Sequence, residues 1–450
     1  MTDLNSENAA ATRAAGLCSA GIEKFVRWRC DALETIEAAI DADNTIALPK
    51  LVKAWMFHGA GDATMAESIS DLLLQAESCV AQPRGSNQSR EWQLLSALEL
   101  LRSGRELEGV ELLQGIVTRE PGDLLVHHLL QEELFWLGQP QRMREVIESA
   151  APVWNETQHG YGNFMSLRAC ANEEAGCLDM ADRCGRTAVE IDPSDVWGAH
   201  AVAHVLVMQG RMAKGIDWIE KLSSNWGHAN QMRHHLWWHM CLFLLETGQH
   251  DRILELLTTE VRNPQSALVK SAPAATIDIT NFASLLMRLE LYGVDVGDRW
   301  QVLAAICADR VHNHGSAFSN MHDMMVLAAT GQYNKAAELL DSMRGEFQSR
   351  KGSIATAYCR VAIPACEAIL AHHNRDYARV IKRLGSVRGE LSLVGASHAQ
   401  RDVFYHMLVH AAGQLGRDDL RRIYLGEIER IGFYDVPDRA AYGGGMQLEL

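Results

Sequence analysis

The stretch VLVMQGRMAKGIDWI, residues 205–219, sets an apolar helical pattern on each side of a Gln-Gly-Arg stop. Gly210 suits the position just past a helix end, where the backbone turns left-handed and a Cβ is penalised. The same punctuation recurs along the chain. LLRSGRELEGVELL turns at Gly104, LFWLGQPQRMREVI at Gly138, ANEEAGCLDMADRC at Gly176 and FLLETGQHDRILELL at Gly248. VLAATGQYNKAAELL turns at Gly331, HAAGQLGRDDLRRIYL at Gly416, and ILAHHNRDYARVIKRL has Asn374 in the same place. The helix after each turn is apolar at three- and four-residue spacing, as in YNKAAELLDSM.

The first five turns are 34, 38, 34 and 38 residues apart. A helix–turn–helix period of about 34 is that of tetratricopeptide repeats, with longer periods in related helical solenoids. A second marker keeps the same phase. Pro121 follows Gly104, and Pro193 follows Gly176, each by 17 residues. Proline there ends the second helix of one repeat before the next begins. The stretch 249–330 is less regular and holds a lengthened repeat around Gly293. The expected fold is all-α, a tetratricopeptide-like superhelix (an α-solenoid) of ten or eleven helix pairs. We expect a flexible N-terminus over 1–20, one continuous repeat domain over 21–435, and a C-terminal tail over 436–450. Such an array curves, and its concave inner surface is where repeat proteins usually bind.

Composition narrows the function. Of 450 residues, 47% are apolar and 22% charged, an ordinary globular balance. The net charge of −15 disfavours nucleic acid and anionic membranes, which reward basic surface. No apolar run reaches the length of a membrane span, and MTDLNSENAAATRAAG lacks the pattern of a secretory signal. The ten cysteines form no CxxC pair and read as reduced, mostly buried thiols of a cytoplasmic protein. No Gly-rich phosphate loop, GxSxG elbow or HExxH is present.

The chemistry-bearing residues are histidines set into apolar helices. His200 and His204 are four apart, as are His235 and His239 one repeat later. That spacing sends both rings of a pair off one helix face. His200 lies ten residues before Gly210 and His239 nine before Gly248, so the two faces are at matched height and could meet. Three readings stand open. Each ring is a core residue satisfied by backbone or by neighbours such as Trp238. Or the four line an acid–base pocket, since a part-buried imidazole titrates near neutrality. Or they hold a metal, because HxxxH is a workable bidentate pair for zinc or another borderline ion. Against metal, no Asp or Glu stands nearby in sequence and no Cys sits at ligand spacing. On that balance the sequence is read as holding no metal and no cofactor.

Weaker signals are His128 with Glu132 in VHHLLQEEL, and His312 with His314 in RVHNHGS, read as groove or loop polarity. The tryptophans at 197, 218, 226, 237, 238 and 300 read mostly as inter-repeat packing.

DPSDVWGAHAVAHVLVMQGRMAKGIDWI, HLWWHMCLFLLETGQHDRILELL, SLLMRLELYGVDVGDRW and SHAQRDVFYHMLVHAAG together resemble the tetratricopeptide repeat protein 38 family, with GIEKFVRW as an early landmark. The likeness runs over residues 10 to 430 or so. Its matched landmarks are His200 and His204, His235 with Trp238 and His239, His322 in FSNMH, Gln400, Arg401 and Asp402, and His410. One departure is Val207, where the resemblance leads us to expect a glutamate within a residue or so. The resemblance implies a helical-repeat fold and a cytosolic protein, and no secure activity.

The resulting expectation is a cytosolic repeat protein whose His-lined inner pocket binds a small polar ligand or a peptide. The first alternative is an enzyme using that pocket for acid–base or hydrolytic chemistry on a small molecule. The second is a protein–protein scaffold. His200, His239 and Asp402 are the candidate catalytic residues. His204, His235, Trp238, His322, Gln400, Arg401 and His410 are candidate ligand contacts. Arg401 could clamp a carboxylate or phosphate, with Asp402 orienting it, or the two could form a structural ion pair. No nucleic acid or membrane partner is expected. A homodimer is one way the array could cap its ends.

Overall fold

The glycines that mark the repeat phase all adopt left-handed backbone. Gly104, Gly138, Gly176, Gly210, Gly248, Gly293, Gly331 and Gly416 have φ between +63° and +80°. Each separates two antiparallel helices, as Val196–Met208 from Met212–Leu222 and Met232–Glu246 from His250–Leu256. The Asn374 turn departs from the expectation. Arg375 takes the left-handed position at φ +56°, and Asn374 closes the helix in ordinary geometry. The proline markers lie between pairs, each followed by an aspartate that caps the next helix. Asp123 accepts from Val126 N at 3.2 Å and Asp195 from Gly198 N at 2.8 Å.

The computed structural model describes residues 2–80, 89–431 and 439, with side chains from residue 11 onward. Helix accounts for 78% of the chain and no strand forms among the described residues, which makes the class all-α. The leader expected to be flexible is not a loose end. It belongs to the helix Thr2–Val26, and Ala14 and Cys18 are buried. The expected tail over 436–450 lies outside the described residues except for Arg439. One helix, Ser353–His373, is long and apolar enough to cross a membrane, and most of it is buried inside the fold.

The two helices of a pair differ in how they are buried. Second helices bury one face: Met212–Leu222 buries Met212, Gly215, Ile219 and Leu222. First helices are buried nearly all round. In Val196–Met208 only Trp197 keeps partial exposure. A helix apolar on every side is the inner layer of an array whose interior is also filled.

The interior is filled because the array closes on itself. Gly61 packs on Gly315, Gly104 on Gly352 and Gly138 on Ser392, pairs 254, 248 and 254 residues apart. The near-constant offset, about seven helix pairs of 34 to 38 residues, means later turns lie over earlier ones in register. Polar clamps hold the contact. Glu106 accepts from Ser353 N at 3.1 Å and Ile354 N at 3.3 Å, capping a helix some 250 residues away. Asn313 donates to Asp62 at 2.7 Å and accepts from Ala63 N at 2.9 Å. The loop before Ala32 joins in, with Cys30 N donating to His228 O at 3.0 Å and Asn230 N to Trp28 O at 2.8 Å.

Candidate functional site

The four histidines face one point in the closed interior. Their helices are fixed from below and from the side. Asp195 caps the His200 helix and accepts from Ser166 of the preceding repeat at 2.6 Å. The next helix is tied to Thr276–Leu291 by three bonds. His234 Nδ1 meets Asp278 at 2.9 Å, His235 Nδ1 meets Asn281 Oδ1 at 2.8 Å, and Trp238 Nε1 donates to Ser284 Oγ at 2.9 Å. Arg288, one turn on, lies over the Trp238 ring and donates to Ala399 O at 2.7 Å, linking this helix to His398–Gln414.

The geometry at the centre is tight. Ring centroids are 4.4 Å apart for His200–His204 and His204–His239, 4.8 Å for His235–His239, and 5.0 Å for His200–His235 and His200–His239. The planes are inclined by 50° to 79°, so edges converge and faces do not stack. One nitrogen from each ring lies within 4.8 Å of the others. His200 Nε2 and His204 Nε2 are 2.9 Å apart. Aromatic rings wall the group, with His200 stacked on Trp197 and His235 on Trp238.

Hydrogen bonding around these rings is sparse. His239 Nδ1 and Nε2, His200 Nδ1 and His204 Nδ1 are buried without a hydrogen-bond partner. Each such group costs about 1–3 kcal/mol if left so. His204 Nδ1 does have a carboxylate near it, Glu173 Oε2 at 3.5 Å. Glu174 hydrogen-bonds Glu173, and Glu173, Glu174 and His204 present donor atoms within 4.8 Å of one another. Burial, with neighbouring imidazoles adding to it, holds His200 and His239 well below the usual histidine range, and burial takes His235 down to about 3. Burial and the charge of Glu173 hold the Glu174 carboxyl well above its usual range. The rings are therefore neutral at pH 7, and the carboxyl pair holds a proton.

Sequence reasoning missed Glu173 and Glu174, and the objection that no acidic residue accompanies the histidines is corrected by them. They stand in NEEAG, read only as a turn marker. Asn281, Ser284 and Arg288 were missed too, although polar residues at three- and four-residue spacing in TIDITNFASLLMRLEL were a usable signal.

The other expected site residues are not gathered here. Arg401 comes nearest. It donates to the backbone oxygens of Gly395 and Ala396, with His398 3.4 Å away and Glu174 and Glu173 among the charges acting on it. It is thus engaged by its own loop and does not stand open as an anion clamp. Asp402 pairs with His406 at 2.9 Å and Arg439 at 2.7 Å, so the expected orienting role toward Arg401 gives way to a separate buried ion network. Burial raises the Asp402 pKa, but Arg439 and His406 outweigh it and hold the carboxyl well below the usual range. Gln400 completes a capping box with Ser397, a structural role in place of the expected ligand contact. His322 bonds Phe318 O at 2.8 Å, and His410 pairs with His372 at 3.0 Å, each apart from the four rings.

The expected His-lined pocket is corrected as well. The enclosed cavity nearby has about 10 Å³, room for about one water. It is lined by Glu246, Arg288, Asp402, His406 and Arg439 with Val207 and other apolar residues, and by none of the four histidines. Val207, where the resemblance led us to expect a nearby glutamate, thus borders a cavity whose carboxylates come from Glu246 and Asp402. The sequence matches no protein-family model.

Proposed function

We propose that this is a cytosolic tetratricopeptide-type repeat protein, of the tetratricopeptide repeat protein 38 kind, that works through its interior. In this reading the four-histidine centre holds a ligand of only a few atoms. The observation that carries it is the convergence of four buried, mostly unbonded imidazoles inside a superhelix whose turns touch. A drug-sized ligand or a peptide side chain needs a pocket of about 300 Å³ or more. The neighbouring cavity is far below that. A peptide scaffold needs an open groove, whereas the first helices here are covered on both sides. One observation favours enzymatic acid–base chemistry as a second reading: the Glu173–Glu174 pair holds a proton beside His204.

Native mass spectrometry of the untagged chain tests this. The wild type should carry an adduct of a few atoms' mass that His204→Ala and His239→Ala lose while keeping the wild-type far-UV spectrum. A wild-type chain at its bare sequence mass would contradict it.

A further inference from the structure

Resting on that reading, we infer that the ligand is a single divalent first-row transition-metal ion bound by His200, His204, His235 and His239. Size comes first. Two nitrogens held about 2.0–2.1 Å from one ion stand roughly 2.9 Å apart at a right angle and about 3.4 Å apart at the tetrahedral angle. His200 Nε2 and His204 Nε2 are 2.9 Å apart, and the other two donors lie within 4.8 Å of both. That spacing suits one ion with small side-chain adjustments.

Orientation comes second. A metal-binding imidazole normally gives its other ring N–H to an oxygen acceptor, which fixes the tautomer and turns the free lone pair to the ion. Two rings have that arrangement. His235 Nδ1 donates to Asn281 Oδ1 at 2.8 Å, leaving Nε2 for the centre. His204 Nδ1 faces Glu173 Oε2 at 3.5 Å, while its Nε2 faces His200. Their acceptors come from helices on opposite sides, Tyr161–Glu174 and Thr276–Leu291. His239, with neither nitrogen bonded, gains a partner only from such a ligand.

Donor chemistry sets the class. An all-imidazole set favours zinc, copper, nickel, cobalt or ferrous iron over calcium or magnesium, which want oxygen, and lacks the thiolate that selects cuprous ion. Glu173 is assigned as the positioning residue of His204. Glu174, next to Arg401, is kept from acting as a second cation site by that guanidinium.

The test uses the untagged full-length chain, expressed in zinc- or cobalt-supplemented medium and measured by elemental analysis and cobalt absorption. The wild type should hold one ion per chain, with visible bands of nitrogen-ligated Co(II). His204→Ala and His239→Ala should each lower occupancy at least tenfold. His204→Gln serves if the alanine variant fails to fold. Glu173→Gln should weaken retention against a chelator about 10–100-fold with the cobalt bands shifted. His410→Ala should match the wild type. A folded wild type holding less than about one-tenth of an ion per chain would overturn the inference, as would occupancy unchanged in the histidine variants. If native mass spectrometry then shows a His204-dependent organic adduct, the metal inference alone fails. If it shows the bare chain, the interior-site reading fails with it.

Discussion

His204 stands between two acceptors of different kinds: its Nε2 is 2.9 Å from His200 Nε2, and its Nδ1 is 3.5 Å from Glu173 Oε2. One ring thus couples the four-histidine centre to the carboxyl pair of the preceding repeat. The same logic applies to His235 and Asn281. Asn281→Ala should leave the fold intact and release the His235 tautomer, lowering metal retention about 10–100-fold. Chelator competition on the loaded protein measures this. Retention equal to the wild type would mean that the Asn281 bond only packs the helix.

The contact between superhelical turns gives a second prediction. Glu106 caps Ser353 N and Ile354 N and is itself buried. Glu106→Ala should cost about 1–3 kcal/mol in urea unfolding, since it removes a charged cap and leaves buried N–H groups bare. An unchanged midpoint would indicate that the two turns are held by other contacts.

Two glycines separate backbone strain from close approach. Gly138 and Gly248 are both left-handed, at φ +65° and +71°. A Cβ on Gly138 would stand 2.3 Å from Ser392 O, while one on Gly248 would meet nothing within 4 Å. Gly248→Ala should therefore cost on the order of 1 kcal/mol, and Gly138→Ala at least twice that. Equal costs, read by denaturant titration, would argue that the Gly138–Ser392 approach is loose.

Buried neutral histidines make the fold acid-sensitive. Burial lowers His128 to about 4, and burial lowers His322 to about 4 as well. Both stand below the ordinary value of 6.5, so between pH 6.5 and 4 the unfolded chain binds protons that the folded chain does not. Stability is then highest above about 6.5 and falls with acidification, by about 3 kcal/mol per residue at the limit. Urea midpoints from pH 7 to 4 should decline accordingly, and His128→Leu should flatten part of the slope. A midpoint flat over that range would contradict the burial of these rings.

Much of the repeat organisation was legible because its punctuation is local. Gly210 or Gly331 announces a helix end through its own conformational preference, and Pro121 announces a break through its missing N–H. Arg375 was not legible, since nothing in HHNRD distinguishes which residue turns left-handed, and Asn374 is the better intrinsic choice. The meeting of His200 with His239 followed from counting back from two turns. The contribution of Glu173 did not follow, because it depends on packing between neighbouring helices and lies in a segment whose local signal is a helix end. Asp402 and Gln400 misled for a related reason. A polar residue in an apolar helix marks a buried partner, and a cap or an ion network satisfies that as well as a ligand does. The contact of Gly138 with Ser392 is a property of superhelical pitch, which no single repeat encodes.

The most direct measurement is a crystal structure of the protein purified from zinc-supplemented medium, with anomalous data collected on both sides of the zinc absorption edge. The account predicts one strong anomalous peak per chain, about 2.0–2.2 Å from a ring nitrogen of each of His200, His204, His235 and His239, with Asn281 and Glu173 on the outer nitrogens of His235 and His204. Density at that point without an anomalous signal, or a well-ordered centre in which the four rings bond only to one another and to water, would contradict it.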